Sequence, residues 1–485
     1  MIDKPISQDT NPETRKLGLT ALAALVISSM IGAGFFNLPQ NMTSGAGLVA
    51  IVLAWIITGV GMSFLANSFR ILANEKPEVT AGVFAYARHA FGRFVGFEMA
   101  WGYWLSVIFG NVAYVVLVMQ SLGYCLPVFG DRSNWPSIVG GSVLIWAMHF
   151  LVLRGVRQAS YVNVVGTVAK IVLIILMVII AAIAWRWDRF TFDVLGQSQG
   201  LGSLLSQVRG TMLVTLWVFI GIEGACAISG CARSQKLVGR ATLVGLMTCL
   251  SLYALITILP FGVLSQAELS ALPNPSTAYL LDHIVGGWGG VLVNLGLLIS
   301  VLSSWLAWTL LAAEVPFAAA GDGLFPEGLS HENRNHTPAP ALWLSSIVMQ
   351  LAMFVVLFAQ DAWIFLISVA GMMVLPPYLS STLYLCKLAF APDFKTEGIS
   401  SRNGAGITAV LGTIYALWLL YGAGLAYLLM SVAFYALGIP LFWRARRGLN
   451  RDEAVFTNAE IVFAILVSLI GVVAIWSFAG GHIHL

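Results

Sequence analysis

Charge is what this chain has least of. Only 10% of its 485 residues are Asp, Glu, Lys or Arg, against about 25% in an ordinary soluble domain, so a soluble globule is excluded. The net charge of +3 is spread over short polar stretches without a basic patch, which removes nucleic acid as a partner. Cysteine is scarce as well. Cys125, Cys226, Cys231, Cys249 and Cys386 have neither metal-ligand spacing nor an even-numbered framework, so they read as small apolar packing residues, and no metal or cofactor is expected. Aspartate is missing from the cores of the apolar runs, and no serine or cysteine there has an evident base beside it. An intramembrane enzyme would lack its catalytic pair. A cleavable signal is not expected either, because the segment through Lys16 is polar and the apolar run behind it is long and glycine-interrupted.

What is abundant is apolar sequence: 59% of the residues are hydrophobic. A window of about twenty residues finds about thirteen spans long enough to cross roughly 30 Å of hydrocarbon. They cover 17–40, 46–69, 96–122, 137–153, 162–185, 210–231, 240–264, 289–320, 341–359, 362–386, 406–421, 425–443 and 460–479. With the amino terminus in the cytoplasm, the outside keeps only Arg132, Arg186, Arg189 and Arg209, and Lys170 alone lies inside a span. The rest of the 25 basic residues fall inside, which is the positive-inside pattern of an inner-membrane protein. The chain is therefore an all-α polytopic membrane protein, with residues 480–485 outside.

Two spans are interrupted in corresponding ways. Glycine breaks the first at Gly32-Ala33-Gly34 and the sixth at Gly221-Ile222-Glu223-Gly224. An offset of five spans forces opposite orientations, so 17–186 and 209–388 are expected to be inverted repeats of five spans each, with a broken helix leading each one. Residues 1–16 form a cytoplasmic tail, and 406–479 supply about three additional spans. Glu223, an ionisable group at mid-membrane depth between two glycines, marks a polar cavity for a substrate.

The residues Ser29-Met30-Ile31-Gly32-Ala33-Gly34-Phe35-Phe36-Asn37-Leu38-Pro39 resemble the first-helix signature of the amino acid, polyamine and organocation transporters, and Trp217 through Ala225 resemble the sixth. Trp101-Gly102-Tyr103-Trp104 with Gly110-Asn111, and Ala307-Trp308 running on to Phe325-Pro326, are similar to the basic amino acid/polyamine antiporter branch. Leu38-Pro39-Gln40-Asn41-Met42, Phe150 to Gly155 and Trp418 to Tyr421 look most like arginine/ornithine antiporters. The resemblance implies a LeuT-like fold of five plus five helices and exchange of arginine for ornithine by alternating access. Arginine/agmatine exchange, lysine exchange and proton-coupled symport are the alternatives. A channel is disfavoured by the broken helices. Membrane lipid is a constant partner, and a homodimer is compatible with the class.

The resemblance also assigns residues. Ile31, Gly32, Ala33 and Gly34, with Ile220 and Gly221, offer unwound backbone to the amino acid head group; an amine needs acceptors and a carboxylate needs donors. Ala33 replaces the serine or glycine often found there, so one hydroxyl is missing. Trp217 and Trp308 flank the cationic end, where an indole face gains about 1–2 kcal/mol from a desolvated guanidinium. Tyr103 and Tyr378 line or gate the path, and Asn111 sits near the side-chain end. Glu223 is the pH-sensing carboxylate. Lys170 takes the place of a sodium ion, and Glu314 is expected to pair with it. Glu98, near a span end, is expected to snorkel or cap. Trp101, Trp104 and Trp305 are assigned to packing or an interfacial belt, and His149 to packing.

Overall fold

The computed structural model describes residues 18–76, 79, 83–129, 134–155, 159–188, 190, 194–197, 199–223, 235–358, 361–392, 394, 401–449 and 455–480. Every regular element among them is a helix, as a bilayer demands of backbone that must satisfy its own hydrogen bonds. Ten described helices are long and apolar enough to cross a membrane, and an eleventh span arises if one bent pair is joined.

That pair is the first span. Helix α1 (Leu19–Met30) stops, residues 31–33 are non-helical, and the chain resumes as a single 3-10 turn over Gly34–Asn37 and helix α2 (Leu38–Thr43). The two halves are bent by 49°. Helices α3 (Leu48–Glu75), α4 (Val83–Phe91) and α5 (Arg93–Cys125) follow. The short α4 is the fold-back after the second span; it is tied down where Lys387 Nζ donates to the Ala90 carbonyl at 2.8 Å. Helices α6 (Trp135–Leu153) and α7 (Ala159–Ile183) complete the first group. Asn134 caps α6 by accepting from the Ser137 amide at 2.9 Å.

The sixth span begins as α8 (Leu204–Trp217), which ends four residues before Gly221; residues 218–223 run in turns. The expected continuation to 231, with Gly224, Cys226 and Cys231, lies outside the described residues. After it come α9 (Gln235–Ile258), the short α10 (Gln266–Ser270) and α11 (Ser276–Val285), then α12 (Gly287–Gly321), α13 (Ala339–Val355) and α14 (Ala362–Ala389). Segments α10 and α11 clasp α2 and the 3-10 turn before it: Gln266 Nε2 donates to the Thr43 carbonyl at 2.5 Å and Thr277 Oγ1 to that of Phe36 at 2.9 Å.

Helix α15 (Arg402–Leu449) is too long for one crossing. Its 48 residues would reach about 70 Å at 1.5 Å each, and it is divided at Gly424, whose φ of 83° is not helical. The two spans expected at 406–421 and 425–443 lie on either side of that break. Helix α16 (Asn458–Ala479) closes the chain.

The core sits around α5, whose residues are buried almost throughout, with α12 and α14 packed against it. Trp104 and Trp305 are fully enclosed, and Trp104 donates to the Ala312 carbonyl at 3.1 Å. They pack the interior rather than forming a belt. His149 is likewise buried, 2.8 Å from Ser346 Oγ through Nδ1.

Candidate functional site

The two helix breaks meet. A Cβ on Gly221 would lie 2.5 Å from the Ser29 carbonyl oxygen, and its φ is +106°. Only glycine meets both demands without strain, so the glycine read from the sequence as a helix breaker is also the contact point between the sixth span and the first. Gly34 is matched in the same way to Trp217: a Cβ there would be 2.7 Å from the indole.

Around this junction is a cavity lined by Ser29, Met30, Gly32, Ala33, Gly34, Tyr114, Trp217, Val218, Ile220, Tyr253 and Trp308. Its free space is about 10 Å³, room for about one water. The indoles of Trp217 and Trp308 both line it, with ring centroids 6.2 Å apart, and Tyr114 meets Trp308 edge-on at 5.8 Å. Trp363 packs at right angles on Trp217 at 6.3 Å. This is a closed arrangement of aromatic faces.

Beside it, Glu223 gathers three donors. Tyr103 Oη donates to one carboxylate oxygen at 2.9 Å; Tyr378 Oη at 2.5 Å and the Gly221 amide at 3.1 Å donate to the other. Tyr103 comes from α5 and Tyr378 from α14, so the turn after α8 is fastened to both helices through one side chain.

Lys170 on α7 does a corresponding service for the first span. It is 1% exposed. Its Nζ donates to the carbonyls of Ile31 at 2.7 Å and Ser28 at 3.1 Å and to Ser304 Oγ at 3.1 Å. Tyr253 Oη donates to the Met30 carbonyl at 3.0 Å. A cation and a hydroxyl thus complete the carbonyl end of α1, where the helix dipole is negative.

The expected Lys170–Glu314 pair does not form. Lys170 is held by Ser304, ten residues and therefore about 15 Å along α12 from Glu314, and Glu314 is exposed. Glu98 also departs from expectation: at 2% exposure neither oxygen has a hydrogen-bond partner, so it neither snorkels nor caps. Asn111 is fully buried behind the cavity wall. Its amide donates to the Val107 and Trp308 carbonyls at 2.8 and 3.2 Å, and Thr309 Oγ1 donates to it at 3.2 Å. Ile31 is buried with its carbonyl on Lys170. The backbone groups expected at the end of the sixth span's first half are also shifted, because α8 already ends at Trp217 and Ile220 stands in the turn.

Sequence reasoning missed Tyr114, Tyr253 and Trp363. Tyr114 and Tyr253 are aromatics in apolar spans with no charged neighbour to single them out, Trp363 stands in the first turn of α14 behind its Asp361 cap, and only the packing brings them to the breaks.

Residues 17–442 match the amino acid permease family model. The chain belongs to that family. The permease is 46% identical over 477 residues to the arginine/agmatine antiporter of Chlamydia caviae, covering 97% of this chain and 98% of the relative. It is 46% identical over 478 residues to the arginine/agmatine antiporter of Chlamydia pneumoniae, covering 97% and 99%. The protein of that name from Chlamydia trachomatis serovar D is 44% identical over 475 residues, covering 97% and 98%. The permease is thus an integral membrane protein of the amino acid, polyamine and organocation superfamily, in its basic amino acid/polyamine antiporter branch.

Proposed function

We propose that this permease exchanges arginine for agmatine across the membrane, presenting one site alternately to either side. The observation that carries the reading is the junction itself: two broken helices abut at Gly221 and Ser29, two indoles face each other at 6.2 Å, and a carboxylate stands alongside. Indole faces and a carboxylate select a cation. Unwound backbone supplies the head-group contacts, and Ala33 offers no hydroxyl to a carboxylate. That suits a counter-substrate lacking one, and the names of the relatives point the same way.

A second reading, arginine for ornithine, is favoured by the motifs Leu38 to Met42 and Trp418 to Tyr421. Both readings share the site residues Ile31, Gly32, Ala33, Gly34, Tyr103, Asn111, Trp217, Ile220, Gly221, Glu223, Trp308 and Tyr378, within two inverted five-span repeats. Lys170 supports independence from sodium, because its ammonium already occupies a cluster of three oxygens of the kind that would hold a monovalent cation.

Liposomes loaded with agmatine, ornithine, lysine or buffer alone separate the readings. Uptake of labelled arginine driven by internal agmatine supports the first, and uptake driven only by ornithine supports the second. Equal uptake into vesicles with no internal amine overturns exchange in favour of symport.

A further inference from the structure

We propose that Glu98 is a proton-binding site, separate from the substrate cavity, that ties the proline pair of α14 to pH. Glu98 lies in the second turn of α5, 2% exposed, with both carboxylate oxygens unpartnered. An ionised carboxylate buried without a partner is far costlier than a neutral acid, so this packing accommodates the protonated form.

Among the described residues no cation hydrogen-bonds Glu98. Tyr435 of α15 is a titratable side chain packed over this part of α5, its hydroxyl against Gly102. On α5, Tyr103 is committed to Glu223 and Arg93 is exposed. On α4, Arg88 pairs with Asp322 at 3.0 Å, Tyr86 packs on Tyr384 of α14, and His89 is exposed. On α14, Tyr378 is bound to Glu223 and Lys387 to the Ala90 carbonyl. Glu314 of α12 and Arg444 of α15 are exposed, Arg446 is buried and makes an interaction of its own, and Arg447 lies over Trp443. Glu460 of α16 accepts from the amides of Phe94 and Thr457.

The connection to α14 runs through Tyr435. Helix α14 contains Pro376 and Pro377, which lack the N–H groups that would bond the carbonyls of Met372 and Met373. Tyr435 Oη donates to the Met373 carbonyl at 2.9 Å, satisfying one of these two carbonyls beside the proline pair that precedes Tyr378, which holds Glu223. The same hydroxyl lies so close over α5 that a Cβ on Gly102 would collide with it, and Gly102 stands one turn from Glu98 on the same face. Phe97 and Phe442, with ring centroids 5.1 Å apart, close the seam. Glu98 thus offers the Tyr435 hydroxyl a second acceptor, and ionisation makes it the stronger one. The released proton passes to water at the near end of α5, and Tyr435 leaves Met373, freeing that carbonyl.

The test begins with infrared difference spectra of the full-length protein in lipid vesicles, without substrate, as pH is varied. A protonated-carboxyl band that titrates in the wild type and is lost in Glu98→Gln is the expected result; the same band in both overturns the proposal. Glu98→Asp, which keeps the acid, should retain the band with its titration shifted, and a band unmoved in Glu98→Asp also overturns it. Arginine exchange then reads the coupling: Glu98→Gln and Tyr435→Phe should each lose part of the pH dependence of the rate with KM unchanged. A wild-type pH profile in both, or a change in KM alone, refutes the link. The spectra do not depend on which substrate is exchanged, so failure of the arginine reading leaves them interpretable.

Discussion

Replacing Gly221 by alanine is the sharpest test of the junction. The added Cβ would lie 2.5 Å from the Ser29 carbonyl oxygen, where ordinary contact begins at 3.4 Å, so the two breaks must part by roughly 0.9 Å against backbone on both sides. Holding an L-residue at φ +106° costs about a further 1–3 kcal/mol. We expect Gly221→Ala to lower stability by about 2–3 kcal/mol and to cut arginine exchange at least about tenfold, since displacement of a site by about 1 Å is enough to lose its alignment. Gly210→Ala in α8 is the control: a Cβ there meets nothing within 4 Å, and a helix-interior alanine is worth about 0.5–1 kcal/mol more than glycine. The assay is counterflow of labelled arginine in liposomes together with thermal unfolding of each purified variant. If Gly221→Ala exchanges and unfolds like the wild type while remaining well folded, the two breaks do not work against each other.

Trp217→Leu removes one indole face and should weaken arginine binding about five- to thirtyfold, from about 1–2 kcal/mol of cation–π attraction; isothermal titration checks it, and unchanged affinity removes Trp217 from the site. Glu223→Ala strands the hydroxyls of Tyr103 and Tyr378 and should weaken arginine binding; isothermal titration checks it, and wild-type affinity would remove the carboxylate from the site. Lys170→Met deprives three oxygens of their donor and should cost about 3–5 kcal/mol, as removal of one member of a buried charged cluster does; an unaltered unfolding midpoint would contradict that. Glu314→Gln should leave exchange within twofold of wild type, about 0.4 kcal/mol or less, because the side chain is exposed and far along α12 from Lys170.

The pattern of success and failure in the sequence reading has a physical cause. Hydropathy located the spans because lipid imposes one rule on every residue in them, and Gly424 even separates the two that run together in α15. Breaks at glycine were legible for the same reason: Gly34 and Gly221 interrupt otherwise uniform apolar sequence. Pairings between spans were not. Glu314 and Lys170 looked like partners because both are charged and embedded, but which carbonyls Lys170 reaches depends on where α1 stops, at Met30. Glu98 reads as a span-end residue because sequence gives its depth along α5 and nothing of its azimuth, whereas it is buried on the face of α5 that carries Gly102, over which Tyr435 lies. Tyr114 and Tyr253 carry no local mark at all.

The fastenings around the cavity explain why an exchanger suits this architecture. Lys170 and Tyr253 fix the end of α1 from α7 and α9, whereas Glu223 fixes the turn after α8 to α5 and α14. The two sets share no residue; they meet where Phe219 packs on Tyr253 at 5.5 Å, at Gly34 against Trp217, and at the Gly221–Ser29 contact. With free space of about 10 Å³, a guest the size of an arginine enters only by parting Trp217 from Trp308 and straining that contact. Its cation must then be worth more to the indoles and Glu223 than their contacts with one another. A second cation of similar end-group chemistry regains the same interactions, whereas vacancy returns only the contacts the indoles and Glu223 make without a guest, so the loaded forms are the ones expected to cross between the two faces.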